Sequence, residues 1–211
     1  MCWLNEGCDV RKISAAVYRG DYAGLDIIGS YGTAHSMCHK IRAAMIEPEQ
    51  KLGGIVEVDE TYIGGKDKNR HWDKKKGHSG DDKTPVIGAV QRKGNVIARV
   101  LKRVDSHNVV SFIHEAVSNK VSMLATDAWR GYKELDGEYH HAAVDHHRNQ
   151  YVIGAVHANT VEGFWSIFKR GVVGTFHKVS AKYLPLYVAE FQFRYNNRFN
   201  ADIFGAAIGG C

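Results

Sequence analysis

Ile55-Val56-Glu57-Val58-Asp59-Glu60-Thr61-Tyr62-Ile63 is rich in β-branched and aromatic residues and stops at Gly64-Gly65, the pattern of a bounded strand. Successive side chains of a strand point to opposite faces. Val56 and Val58 therefore share one face, and Glu57, Asp59 and Thr61 share the other. Aspartate is disfavoured inside strands, so Asp59 in the middle of this one suggests chemistry.

Beyond this strand the pattern predicts two more. Pro85 to Arg92 and Asn95 to Val104 flank a Lys93-Gly94-Asn95 turn, which reads as a hairpin. Asp105-Ser106-His107-Asn108 caps a predicted helix over Val109 to Ser118. A short buried strand over Val121 to Thr126 ends in Asp127, followed by a helix over Ala128 to Leu135 and a strand over Tyr139 to Val144. After a polar loop over Asp145 to Gln150, a long helix begins near Asn159, and a second covers Lys182 to Arg198. Three antiparallel strands followed by strand–helix alternation predict a mixed five-stranded sheet with helices on its faces. That is the ribonuclease H-like α/β arrangement.

Upstream, residues 1–50 read as a small helical segment. Ile13, Ala16 and Val17 recur at helical spacing. Thr33 is a candidate N-cap for a second helix, where Met37, Ile41 and Met45 fall four apart and predict the buried face. His35, His39, Lys40 and Arg42 lie opposite, so the outline is a helix-turn-helix with a basic face. Residues 51–200 hold the α/β domain, and 201–211 form a tail. Within the domain, residues 66–83 read as an exposed charged loop that includes Lys74, Lys75 and Lys76.

The chain of 211 residues is 44% hydrophobic and 24% charged, enough to bury a core and too apolar for a disordered tail. Its apolar runs are a few residues long, whereas a membrane-spanning helix needs about 20. Asp9, Arg11 and Lys12 interrupt any signal-peptide core, so a soluble intracellular protein is expected. Cys2, Cys8, Cys38 and Cys211 form no C-x-x-C pair, which argues against a zinc ribbon or a redox dithiol. A net charge of +5 favours polyanionic partners.

The carboxylates carry the chemistry. Asp127 stands where a buried strand gives way to a helix, a position that also suits an N-cap. Asn159 and Glu162, three apart, share one side of a first helical turn, and Lys169 lies two turns beyond Glu162. Adjacent strands can bring Asp59 beside Asp127, and a helix across the sheet can add Glu162. Three clustered carboxylates repel unless cations hold them, and oxygen-only ligation selects Mg²⁺ or Mn²⁺. Paired ions of this kind activate a water or hydroxyl and stabilise the leaving oxygen in phosphodiester cleavage. The basic charge suits DNA as the substrate. Adjacent histidines such as His140-His141 point to opposite faces of a strand and suit chelation poorly. Trp129 and Trp165 default to core packing, with stacking on an unpaired DNA base as the bolder role.

Four stretches resemble one family. Val58 to Lys66 (VDETYIGGK) resembles the first catalytic strand of bacterial DDE-type insertion-sequence transposases of the insertion sequence fifteen-ninety-five family. Thr126 to Tyr132 (TDAWRGY) resembles its second acidic motif, His157 to Gly171 (HANTVEGFWSIFKRG) its third, and Phe193 to Arg198 (FRYNNR) its closing helix. The resemblance implies a ribonuclease H-like domain that cuts and joins DNA at terminal inverted repeats and in target DNA, with Mg²⁺ or Mn²⁺. It implies Asp59 and Asp127 as metal ligands and Glu162 as the third, in an E-x6-K arrangement with Lys169, while Asn159 is the alternative third residue. Lys169 and Arg170, with Lys40, Arg42, Lys74, Lys75 and Lys76, are then expected on DNA. It further implies a dimer or higher assembly on DNA, a cytoplasmic and nucleoid-associated setting, and a chain shortened at its start, because relatives often begin with a four-cysteine ribbon. A non-catalytic DNA-binding copy docking through residues 11–45 is the second reading of the same residues.

Overall fold

The structure, a computed structural model, describes residues 30–48, 50–64, 83–127, 132, 135, 137–144 and 159–209, without the side chains of 127, 143 and 144. The first helix of the expected N-terminal hairpin lies outside these residues, as do Lys74, Lys75, Lys76, Trp129, His157, the polar loop with His146 and His147, and most of the helix expected over 128–135. In chain order the elements are α1 (Tyr31–Ala44), β1 (Ile55–Ile63), β2 (Thr84–Gln91), β3 (Val96–Val100), α2 (Ser106–Ala116), β4 (Met123–Asp127), β5 (His141–Val144), α3 (Asn159–Arg170), α4 (Leu184–Asn196) and α5 (Ile203–Ile208). A π-helical turn, Gly171–Phe176, continues α3. The short helix α5 stands where a tail was expected, capped by Asp202, whose side chain accepts from the Gly205 amide.

Five strands form one sheet in the order β3-β2-β1-β4-β5. The β1–β2 and β2–β3 pairs are antiparallel, and β4 and β5 continue parallel to β1. This is the expected ribonuclease H-like fold. Antiparallel neighbours need only a hairpin, whereas parallel ones need a crossover, and α2 supplies the one from β3 to β4. Asp105 caps α2 as the sequence predicted, accepting from the Asn108 amide at 2.9 Å.

The alternation of β1 distributes the core. Val56 and Val58 pack with Ile87, Ala89 and Leu124 against Val109, Phe112 and Ile113 of α2. On the other face Ile63, Val86 and Val90 pack against Val161, Phe164, Trp165 and Phe168 of α3 and against Leu184, Val188 and Phe191 of α4. Glu57, Asp59 and Thr61 share this second face with Ile63. Opposite Asp59 in the ladder stands Gly88. A methyl group there would lie 2.7 Å from the Trp165 ring, so glycine lets α3 approach the sheet at the level of Asp59. Trp165 is 3% exposed, which makes it a core residue.

Strand β3 is an edge, and α4 seals it. The Val96 amide donates to Asn196 Oδ1 at 2.7 Å, Asn196 Nδ2 donates back to the Val96 carbonyl, and the Ala98 amide donates to Gln192 Oε1 at 2.9 Å. Residues 192 and 196 are one helical turn apart and meet alternate residues of the strand. Glu47 accepts from the amide nitrogens of Gln192, Asn196 and Asn197 and so orients all three.

Helix α1 corrects the sequence reading. Met37 and Ile41, expected in the core, are 43% and 37% exposed, whereas Arg42 on the supposed basic face is 4% exposed. Its partner α4 presents aromatic rings and a carboxylate. Arg42 Nε donates to Glu190 Oε2 at 2.8 Å, and its guanidinium stands 4.2 Å from the Tyr187 ring centre. His35 and His39 pack on Tyr183. Arg42 therefore holds the fold together and has no exposed group to offer DNA.

Two outcomes follow from this packing. Gly88→Val should lower stability by about 2 kcal/mol, read by urea unfolding, because its side chain would overlap the buried Trp165 ring. Burial first, then the charges of His35 and Arg42, push His39 down from 6.5 to about 4. Between those values the unfolded chain binds a proton that folded His39 refuses. The contribution of neutral His39 is thus complete above pH 6.5 and declines as pH falls towards 4. Unfolding free energies across that range should fall more steeply for the native chain than for His39→Phe.

Candidate active site

Glu57 is 0% exposed, and buried charge requires compensation. Arg92 Nε, at the end of the β2 hairpin, donates to Glu57 Oε1 at 2.6 Å, and Thr160 Oγ1 donates to the same oxygen at 2.9 Å. The amides of Thr160 and Val161 donate to Oε2 at 2.8 and 3.1 Å. Those amides belong to the first turn of α3, where backbone donors have no partner within the helix and the dipole favours an anion. A carboxylate from β1 thus caps α3.

Asp59, half-buried, lies two residues further along β1 on the same face, about 7 Å on at the usual rise of a strand. The parallel register pairs Glu57 with Ala125. Two residues on from each are Asp59 and Asp127, on neighbouring strands just past the last parallel pair. The Asp127 side chain lies outside the described residues. Asn159 and Glu162 are exposed in the first turn of α3, the turn that Glu57 holds. Glu60 faces the other side of β1 and accepts a hydrogen bond from the hydroxyl of Tyr132, which is buried in the α2-side core. Strand β1 thus grips the chain five residues beyond Asp127.

The ISXO2-like transposase domain matches residues 51–196. The chain belongs to that family. It is 26% identical over 177 residues to an uncharacterized protein in transposable element ISH50 of Halobacterium salinarum, covering 78% of this chain and 60% of that one. The chain thus spans less than two thirds of that relative's length. Two solved structures overlay loosely. The HTLV-2 integrase catalytic core domain in complex with magnesium gives a TM-score of 0.40 at 13% identity, covering 70% of this chain and 87% of that one. A simian T-cell lymphotropic virus intasome in complex with the PP2A regulatory subunit B56 gamma gives 0.39 at 14%, covering 83% and 63%.

Among the described residues of this transposase domain, no three His, Cys, Asp or Glu side chains gather as a metal site. The candidate acidic set is Asp59 on β1, Asp127 at the end of β4 and Glu162 in the first turn of α3, and the Asp127 carboxylate lies outside the described residues. Its donors are all carboxylate oxygens, which fits a hard divalent cation. Lys169 and Arg170 are exposed in the last turn of α3, and Lys40 is exposed on α1. His141 is engaged with Thr126, its Nε2 standing 2.7 Å from Oγ1.

The sequence reading missed Glu57, Arg92 and Thr160 as members of the site. One signal was present, because Glu57 shares the strand parity of Asp59. Its partners lie 35 and 103 residues away, beyond the reach of local pattern. Arg92→Met leaves the Glu57 charge buried with its cation removed. It should cost about 3 kcal/mol in a urea titration, well above the loss at an exposed salt bridge.

Proposed function

We propose that the domain cleaves DNA at the ends of an insertion sequence and joins those ends to target DNA, as a DDE-type transposase using Mg²⁺ or Mn²⁺. The observation that carries this reading is the parallel β1–β4 pairing, which runs to Glu57 and Ala125, each two residues before one of the aspartates Asp59 and Asp127. Membership of a transposase domain family supports it.

In this reading Asp59, Asp127 and Glu162 hold the metal, and Asn159 contributes a neutral amide oxygen beside Glu162. The bound metal supplies an activated water or hydroxyl and charge stabilisation at the leaving oxygen. Asp59 and Asp127 lie on neighbouring strands of a sheet packed on both faces, which limits reorganisation during reaction. Lys169 and Arg170 engage DNA phosphates near the acidic cluster, and Lys40, Lys74, Lys75 and Lys76 extend the basic surface. Joining two DNA ends in one event calls for at least two copies of the chain on DNA.

The test is strand cleavage and joining on end-bearing DNA with Mg²⁺ or Mn²⁺. Asp59→Asn and Asp127→Asn should each reduce both reactions to background while salt-sensitive DNA binding persists. Unchanged cleavage in both variants sinks the assignment. Absence of cleavage by the native chain, with binding intact, returns the non-catalytic reading. Glu162→Gln and Asn159→Ala identify the third ligand by which one abolishes turnover. Lys169→Ala should weaken DNA binding uniformly and reduce the salt slope by about 1.

A further inference from the structure

We propose that Glu57 is a positioning residue, whose carboxylate sets where Glu162 stands relative to Asp59 by gripping the first turn of α3. The inference rests on the proposed role of Glu162. Glu57 has the face of a metal ligand without the availability of one. Each of its oxygens takes at least two donors, from Arg92 and the Thr160 hydroxyl on one side and from the Thr160 and Val161 amides on the other. A carboxylate has about four lone-pair sites, and these donors fill that capacity.

The grip is directional where the surrounding packing is not. Val161, Phe164, Trp165 and Phe168 bury α3 against the sheet through apolar contact, which fixes depth more strongly than axial position. Hydrogen bonds from two consecutive amides to one carboxylate fix the axial position and the rotation of the turn. Asn159 to Glu162 is that turn, so its placement is the placement of the Glu162 Cα. A carboxylate on the strand that carries Asp59 caps this turn, and a single segment thereby sets both acidic positions. Arg92 keeps the arrangement electrically balanced and is itself tied to the sheet, its amide donating to the Ile55 carbonyl at 3.0 Å.

The experiment is a double-variant cycle on the full chain, read by Mn²⁺ binding without DNA and by cleavage kinetics with it. Circular dichroism first selects variants that fold. Glu57→Gln should weaken Mn²⁺ binding by about tenfold, the scale of loss when a group supporting a ligand is removed, and should lower kcat with the KM for DNA unchanged. Combined with Glu162→Gln, it should add no further loss of Mn²⁺ affinity. If Glu57→Gln does not fold, Thr160→Val removes one donor while keeping side-chain shape, and should shift affinity in the same direction by a smaller factor. Native Mn²⁺ affinity and native kcat in a folded Glu57→Gln or Thr160→Val chain overturn the proposal. A loss undiminished in the Glu162→Gln background also overturns it, as does coupling to Asn159→Ala in place of Glu162→Gln. Failure of the catalytic reading is distinguishable, since it appears as cleavage surviving Asp59→Asn, whereas failure of positioning alone leaves Asp59→Asn inactive.

Discussion

A carboxylate sealed from water is tolerable only where the protein itself supplies its hydrogen-bond donors and counter-charge. Among the described residues, those at Glu57 come from the β2 hairpin through Arg92 and from the start of α3 through Thr160 and Val161. The strand, the hairpin and the helix therefore cannot shift independently. Apolar burial brings the three together, and the ionic contact decides their register. Removing either side of such a contact strands a charge, which is why its parts behave as one unit.

Strand β1 is organised around this constraint. One face carries Glu57, Asp59, Thr61 and Ile63 towards α3, and the other carries Val56, Val58 and Glu60 towards the α2-side core. Glu57 grips the third acidic motif, and Glu60, through Tyr132, grips the second. The two carboxylates near Asp59 on β1 thus anchor the stretches that follow Asp127 and that begin α3. Gly88, across the ladder from Asp59, lets Trp165 close over the same level. A strand with three acidic residues in four positions is consistent with a folded sheet because Glu57 and Glu60 each accept hydrogen bonds within the protein.

Much of this was legible in the chain, for identifiable reasons. The period of two in Ile55 to Ile63 separated the faces of β1, because β-branched alternation is a local signal. The Asp105 cap was legible for the same reason. Helix α1 was misread at Met37 and Ile41, though not at Met45, because the face that packs was selected by Tyr183, Tyr187 and Glu190 some 140 residues later. The role of Glu57 escaped notice on similar grounds. A buried charge cannot be recognised until its partners are known, and Arg92 and Thr160 meet it only through the tertiary fold. The candidate ligands Asp59 and Glu162 were visible because an aspartate inside a strand and a glutamate at a helix start are unusual or patterned locally.

Asn196 and Gln192 treat the outer rim of the sheet as another strand would. A rim left bare offers its backbone to any passing chain, and fresh polypeptide on the ribosome is the nearest supply. Because helix side chains occupy those sites, a cell holding many copies of this protein gains some protection from fibrous stacking of one sheet on the next. Lesions at these two amides would thus surface as insolubility during synthesis, with the chemistry of the molecules that do mature left intact.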